Sequence, residues 1–312
     1  MQHYYKLRDW IPLEKLNWDC LSENPAAIHL LEQNPDKIDW DCLSSNPAAI
    51  HILEQNPDKI VWDILTEIPE AIHLISEKFK QYPDKTEWDA LLVNPAAIYL
   101  ISKGLEQYPK KINWWWLSCN PAAIHLLEQN PDKIDWSMLS SNPAAIHLIS
   151  KALEQNPDKI YWWYLSRNPA AIHILEQNQD KINWHWLSQN PAAIHLISKA
   201  LEQNQDEINW HCLSGIPAAI HLLEQNPDKI DWDCLSSNPA AIHLISEALE
   251  QNPNKINWIE LSRNPAIFIY DYKQIAEHRW PINKEIIQNR FHPKNMKYFS
   301  GWGIEEFDDY EE

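Results

Sequence analysis

Asp39-Trp-Asp-Cys-Leu-Ser-Ser-Asn-Pro-Ala-Ala-Ile-His-Ile-Leu-Glu-Gln-Asn-Pro-Asp-Lys-Ile60 is one copy of a phrase that recurs along most of the chain. Its tryptophan returns at Trp18, Trp40, Trp62, Trp88, Trp114, Trp136, Trp162, Trp184, Trp210, Trp232 and Trp258, at spacings of 22 or 26 residues. Self-similarity at a fixed short period is the signature of a solenoid. A unit of this size buries too little apolar surface to fold alone, so its neighbours must stack into one continuous core.

Within the phrase, Asp39 caps a short helix from Trp40 to Ser45, with Trp40 and Leu43 on one face, and the recurring Trp with the unchanging Leu three after it is expected as the core ladder. Asn46-Pro47 ends it, because the residue before a proline avoids the helical region. The same pair starts a second helix, Pro47 to about Gln55, with Asn as cap and Pro in the first turn. Asn56-Pro-Asp-Lys59 then turns the chain toward the next Trp. The 26-residue copies add four residues to the second helix, as in Ile149-Ser-Lys-Ala-Leu-Glu-Gln155. Four residues are close to one helical turn, so the apolar face keeps its phase. The expected fold is all-α: an α-solenoid of about eleven 22/26-residue two-helix repeats, above about 60% helical. The rival is a leucine-rich horseshoe with one strand per unit around Ile60-Val-Trp62.

Three regions follow from where the phrase holds. Residues 1–16 read as an amino-terminal cap, 17–270 as the solenoid, and 271–312 as a carboxyl-terminal cap. The last region includes a helix-like Lys284–Arg290 and an acidic tail from Glu305 to Glu312. The repeated Trp-x-x-Leu-Ser-x-Asn-Pro-Ala-Ala-Ile-His resembles repeat proteins of unknown function encoded by nucleocytoplasmic large DNA viruses, the giant viruses. The likeness extends to the closing segments Phe291–Met296 and Gly301–Glu306. It implies a viral protein, in the host cytoplasm or the virion, and brings no known activity or catalytic residue.

Composition narrows the partners. The net charge is −18, from 26 Lys+Arg against 44 Asp+Glu. Nucleic acid and anionic membranes select for basic surface, so neither is expected as a partner. The amino terminus lacks the apolar core of a signal peptide, and no apolar run approaches the ~20 residues that span a bilayer. Cys20, Cys42, Cys119, Cys212 and Cys234 recur in register or stand apart. Equivalent positions in stacked helices lie ~10 Å apart, too far for disulfides, so the thiols read as reduced and the compartment as cytoplasmic.

The same spacing argues against a shared ion in the ladder His29, His51, His73, His125, His147, His173, His195, His221 and His243, where Tyr99 is the one exception. These rings read as packing groups that bond to backbone or Ser of the next unit, and no metal or cofactor is expected. Catalysis needs one unlike, converging constellation, whereas Ser, His and Asp here recur in equivalent settings. No catalytic residue is therefore assigned. The one unrepeated polar cluster surrounds His278, Arg279, Arg290 and His292 in the carboxyl-terminal region.

Function is sought where the units disagree. The residue after each ladder Trp is Asp in the early units but Trp115, Trp163, His185 and His211 in the middle ones. Five after the Trp stands Arg167, one turn from Trp163 on the same helix face. Trp116, Tyr164 and Trp186, two after the Trp, read as core. Trp115, Trp163, Arg167, His185 and His211 are the candidate partner-binding residues, on a scaffold for a protein or peptide, a basic one given the acidic early units. The alternatives are groove filling by Trp115 and Trp163, and a self-assembling structural protein.

Overall fold

In the computed structural model, residues 5–203 and 207–290 are described, and helix accounts for 76% of the structure. The acidic tail, His292 and the closing segments 291–296 and 301–306 lie outside the described residues. The described chain is a repeat of short helices, and its strands are Tyr5–Leu7 and Phe268–Tyr270. The horseshoe reading fails around Ile60-Val-Trp62, where a 3-10 turn, Pro57–Lys59, leads directly into helix Trp62–Leu65.

A full repeat, counted from its Trp, carries four pieces. In repeat 2 these are helix Trp40–Ser44, 3-10 turn Pro47–Ala49, helix Ile50–Gln55 and 3-10 turn Pro57–Lys59. Asp39 caps the first helix by accepting from the Cys42 N–H at 2.8 Å. The second helix does not begin as one α-helix at Pro47, as the sequence suggests. Asn46 accepts from Ala48 through its side chain and from Ala49 through its carbonyl, which tightens the first turn to i→i+3. In the long repeats the second helix runs nine or ten residues, as in Ile146–Gln155, against six in Ile50–Gln55. The insertion is one helical turn.

The core differs from the expected Trp ladder. Leu43, Leu139 and their equivalents three after each Trp are fully buried, as are Ala49 and Leu53. Among the ladder tryptophans only Trp88 is buried, against Gly104, where a Cβ would meet its ring at 2.4 Å. The others are half-buried. Lysines cover several exposed ring faces: Lys37 over Trp18 at 4.4 Å and Lys159 over Trp136 at 4.6 Å. Leu139→Ala should therefore cost ~3–5 kcal/mol and Trp136→Ala less, ~2–3 kcal/mol, because part of the Trp surface stays wet in the folded state. Paired urea melts measure the order, and the reverse order would return the Trp to the core.

Asn does more than cap. Asn142 is fully buried, and its Nδ2 donates to the carbonyls of Ser118 and Asn120 in the preceding repeat at 3.0 and 3.1 Å. Ser118 Oγ in turn accepts at 3.0 Å from the N–H of Asp135, which caps the next repeat's first helix. Backbone groups freed at the helix ends are thus satisfied across each junction. Ile68 and Ile216 stand where repeats 3 and 9 lack this Asn.

Residues Arg8–Ile267 form one compact unit. Within it the Pro-Ala-Ala turns touch in unbroken succession from Pro25–Ala27 round to Pro265–Ile267, and the last touches the first. Helix Trp18–Glu23 packs on Trp40–Ser44 at one side and on Trp258–Arg263 at the other. The closing junction repeats the internal one. Asn24 Nδ2 donates to Ser262 O and Asn264 O at 2.9 and 3.1 Å, and the Asn17 N–H donates to Ser262 Oγ at 2.9 Å. Arg263 adds an ion pair with Glu23 at 2.7 Å. Eleven repeats therefore close into a ring, each turning the chain by about 33° on average.

The amino-terminal segment finishes that ring. Repeat 11 passes from Pro265–Ile267 into a strand and supplies no closing turn of its own. The 3-10 turn Leu13–Lys15, followed by buried Leu16, stands in its place before Asn17-Trp18. Lys15 covers Trp258 at 4.8 Å as Lys37 covers Trp18. Residues 13–16, expected as part of a cap, thus complete the last repeat.

Among the described residues, the second compact unit comprises residues 5–7 and 268–290. Its two strands pair antiparallel with Tyr5 opposite Tyr270, whose rings stack at 4.7 Å. Helix Tyr272–Arg290 follows.

Candidate functional site

The first helices of successive repeats pack on one another around most of the ring, whereas no two successive second helices approach as closely. Tighter spacing places the first helices on the inner, concave side. The residue one after the Trp lies on their exposed strip in ten repeats, at Asp19, Asp41, Asp63, Asp89, Trp115, Trp163, His185, His211, Asp233 and Ile259, and is the half-buried Ser137 in repeat 6.

Trp115 is 39% and Trp163 49% exposed. Each stands edge-on to a ring one residue later. Trp115 meets Trp116 at 4.3 Å and 83°, and Trp163 meets Tyr164 at 5.1 Å and 62°. Trp116, Tyr164 and Trp186 are half-buried rather than core, because they form the floor on which the strip residues rest. Arg167 and His185 converge on one such floor. The Arg167 guanidinium lies 5.2 Å from the Trp186 ring centre, and His185 meets the same ring at 5.9 Å. Trp115 sits two repeats away on its own floor residue, and His211 one repeat beyond His185.

The strip also bonds across junctions. His185 contacts Asn209 at 3.2 Å, His211 Nδ1 is 2.9 Å from Asp231 Oδ2, and Asn257 donates to Asp233 at 3.0 Å. In each case the residue after one Trp meets the residue before the next. In repeats 7 and 8 the residue five after the Trp covers the next repeat's floor. Arg167 lies over Trp186, and Gln189 Nε2 donates to Cys212 Sγ at 3.5 Å. A cleft of about 580 Å³ opens over repeats 3 and 4, lined by Asp63, Glu67, Glu87 and Asp89 with Lys110 and Lys111.

The His ladder is paired differently from the sequence expectation. The partner is a Glu of the preceding repeat rather than backbone or Ser: His51–Glu32 at 3.0 Å, His73–Glu54 at 2.6 Å, and His147–Glu128, His195–Glu176 and His243–Glu224 at 2.9 to 3.1 Å. All five follow a 22-residue repeat. After a 26-residue repeat the Glu has moved one helical turn, ~5 Å, along its helix. These pairs are about half exposed, so each contributes at most ~1 kcal/mol.

The five cysteines are free, as the spacing argument expected. Burial, with the carboxylates of Asp39 and Glu23 adding to it, pushes the Cys42 thiol up to about 12. Burial and Asp231 push Cys234 up to about 11. At neutral pH both are thiols rather than thiolate nucleophiles. The expectation that ligand atoms run parallel without meeting holds for equivalent positions only. His211, Asp231 and Cys234 occupy three different positions of repeats 9 and 10, and their ligand atoms lie within 4.8 Å of one another. The signal was present in the sequence as the offset between the residue after one Trp and the residues flanking the next. Of the carboxyl-terminal cluster, His278 and Arg279 are exposed on helix Tyr272–Arg290.

Among the described residues no helix is long and apolar enough to cross a membrane. No protein-family model, curated protein or solved structure matches the chain.

Proposed function

We propose that the ring Arg8–Ile267 is an interaction scaffold that holds a basic protein segment against its inner strip. The observation that carries this reading is the exposure of Trp115 and Trp163 at a position where other repeats present carboxylates. A large ring left half in water, braced edge-on by a second ring, is pre-organised to take a partner's cation or apolar side chain. Asp19, Asp41, Asp63, Asp89 and Asp233 on the same strip supply the complementary charge for Lys and Arg. Eleven helices at ~9 Å spacing form a circle ~30 Å across between axes, leaving ~20 Å inside their side chains. That opening suits an extended or helical segment rather than a folded domain.

In this reading Trp115 and Trp163 are the anchors, and Arg167, held over Trp186, faces a partner carboxylate or carbonyl. His185 and His211 add polar contacts. The free thiols suit a cytoplasmic setting, which for a protein of viral type means the host cytoplasm. The alternative, a self-assembling structural protein, is disfavoured in its end-to-end form, because a closed ring presents no free repeat face to the next copy.

The test uses a displayed library of Lys/Arg-rich peptides selected on the full chain. Changing both Trp115 and Trp163 to Asp, the residue that other repeats carry, should preserve the helical spectrum. It should weaken the selected peptides by ~30-fold, about 2 kcal/mol. A double variant that unfolds makes the rings structural, and one that folds and binds unchanged removes the site from this strip.

A further inference from the structure

We propose that His211, Asp231 and Cys234 form a zinc-binding site across the junction of repeats 9 and 10. It shares His211 with the docking strip but does not depend on docking, and its test needs no partner. His211 Nδ1 stands 2.9 Å from Asp231 Oδ2, and Cys234 Sγ stands 3.4 Å from both ring nitrogens of His211. With the three ligand atoms inside 4.8 Å, the spacing is close to that of a tetrahedral zinc site, whose ligand atoms are about 3.2–3.8 Å apart at bond lengths of about 2.0–2.3 Å.

The donor set selects the ion. A thiolate with an imidazole excludes calcium and magnesium, which take oxygen, and suits zinc. The second oxygen of Asp231 accepts from the Cys234 N–H at 3.0 Å, so the carboxylate is already oriented by its role as helix cap. Three protein ligands leave the fourth position to water. Cys234 binds as thiolate, so each zinc taken up displaces the thiol proton to solvent.

A second, independent feature singles out this junction. At the two preceding junctions the residue five after the Trp lies over the residue two after the next Trp: Arg167 over Trp186, and Gln189 on Cys212. At repeat 9 that residue is Gly215, and a Cβ built there would meet Cys234 Cβ only at 4.0 Å. No side chain from Gly215 covers the sulfur, and the space left is where an ion and its water would sit. At the preceding junction the three ligand positions hold His185, Asn209 and Cys212, with Gln189 capping the thiol. At the first junction they hold Asp19, Asp39 and Cys42, without an imidazole.

Titrating the reduced full chain with cobalt(II) tests the site. One equivalent should bind with a thiolate-to-cobalt charge-transfer band and tetrahedral d–d absorption, and zinc should displace it. Cys234→Ser should abolish the band while Cys212→Ser leaves it. His211→Asn, at an exposed side chain, and Asp231→Asn, which keeps the helix cap, should each weaken binding at least tenfold. Gly215→Gln should weaken it similarly by covering the sulfur. Circular dichroism confirms that each variant is folded. The His–Glu pairs hold no sulfur, so cobalt taken by them gives no such band. The proposal is overturned if the parent shows no charge-transfer band, if the band survives Cys234→Ser, or if His211→Asn binds as tightly as the parent.

Discussion

Asn142→Asp is expected to lower the stability of the ring by ~3–5 kcal/mol, although it exchanges an amide for a group of the same shape. The side chain is fully buried and its amide donates to the carbonyls of Ser118 and Asn120. A carboxylate offers no donor, so both carbonyls lose their partner and a charge faces two oxygen dipoles without water. The acceptor role toward the Ala144 N–H at 3.0 Å survives, which isolates the loss to the junction. Asn142→Ile should cost less, about 1–3 kcal/mol, since it leaves carbonyls unpaired but buries no charge. Ile68 and Ile216 already occupy this position in two repeats. Urea melts at neutral pH give the comparison. If the Asp variant matches the parent, the Asn ladder does not tie the repeats together.

Deleting residues 17–38, one whole 22-residue repeat, is expected to lower the melting temperature by on the order of 10 °C and to broaden the transition. In an open solenoid such a deletion removes one repeat and one interface while the rest melts as before. In the ring it removes Asn24, whose amide joins Ser262 and Asn264, and Glu23, the partner of Arg263. Ten repeats turning about 33° each fall short of a full circle by one repeat. Either two apolar faces meet water or every junction strains to close the gap. Hydrogen exchange should locate the opened faces at repeats 2 and 11. A deletion that melts sharply at the parent temperature would show that the circle is not the cooperative unit.

The repeat itself was legible in the sequence because its signals are local. Asn46-Pro47 sets a helix boundary through proline's ring and the clash it makes with the preceding residue, whatever the distant chain does. The four-residue insertion in Ile146–Gln155 keeps the apolar face in phase by helix geometry alone. The invariant Leu three after each Trp marked the buried face correctly. The Trp beside it was overvalued, because a large apolar ring signals burial but not which neighbour covers it, and here Lys does so at Trp18 and Trp136.

The candidate strip was half legible. Variation after each Trp located Trp115, Trp163, His185 and His211, and helix periodicity placed Arg167 with them. Their neighbours across the junctions were not legible, since Arg167 meets Trp186 and His185 meets Asn209 only once the offset between repeats is known.

Sequence by itself determined the unit: two helices, two tight turns, a phase-preserving insertion and an exposed position free to vary. Each depends on residues within one repeat length. Tertiary structure decided that the array closes, that residues 13–16 finish its last repeat, and that five ladder histidines meet a Glu of the short repeat before them. It also decided that His211, Asp231 and Cys234 meet. The physical reason is that these follow from the rotation between neighbouring repeats. No single residue carries that rotation. It is the sum of many side-chain volumes at each junction, and an error of a few degrees per repeat, multiplied by eleven, separates a ring from an open helix.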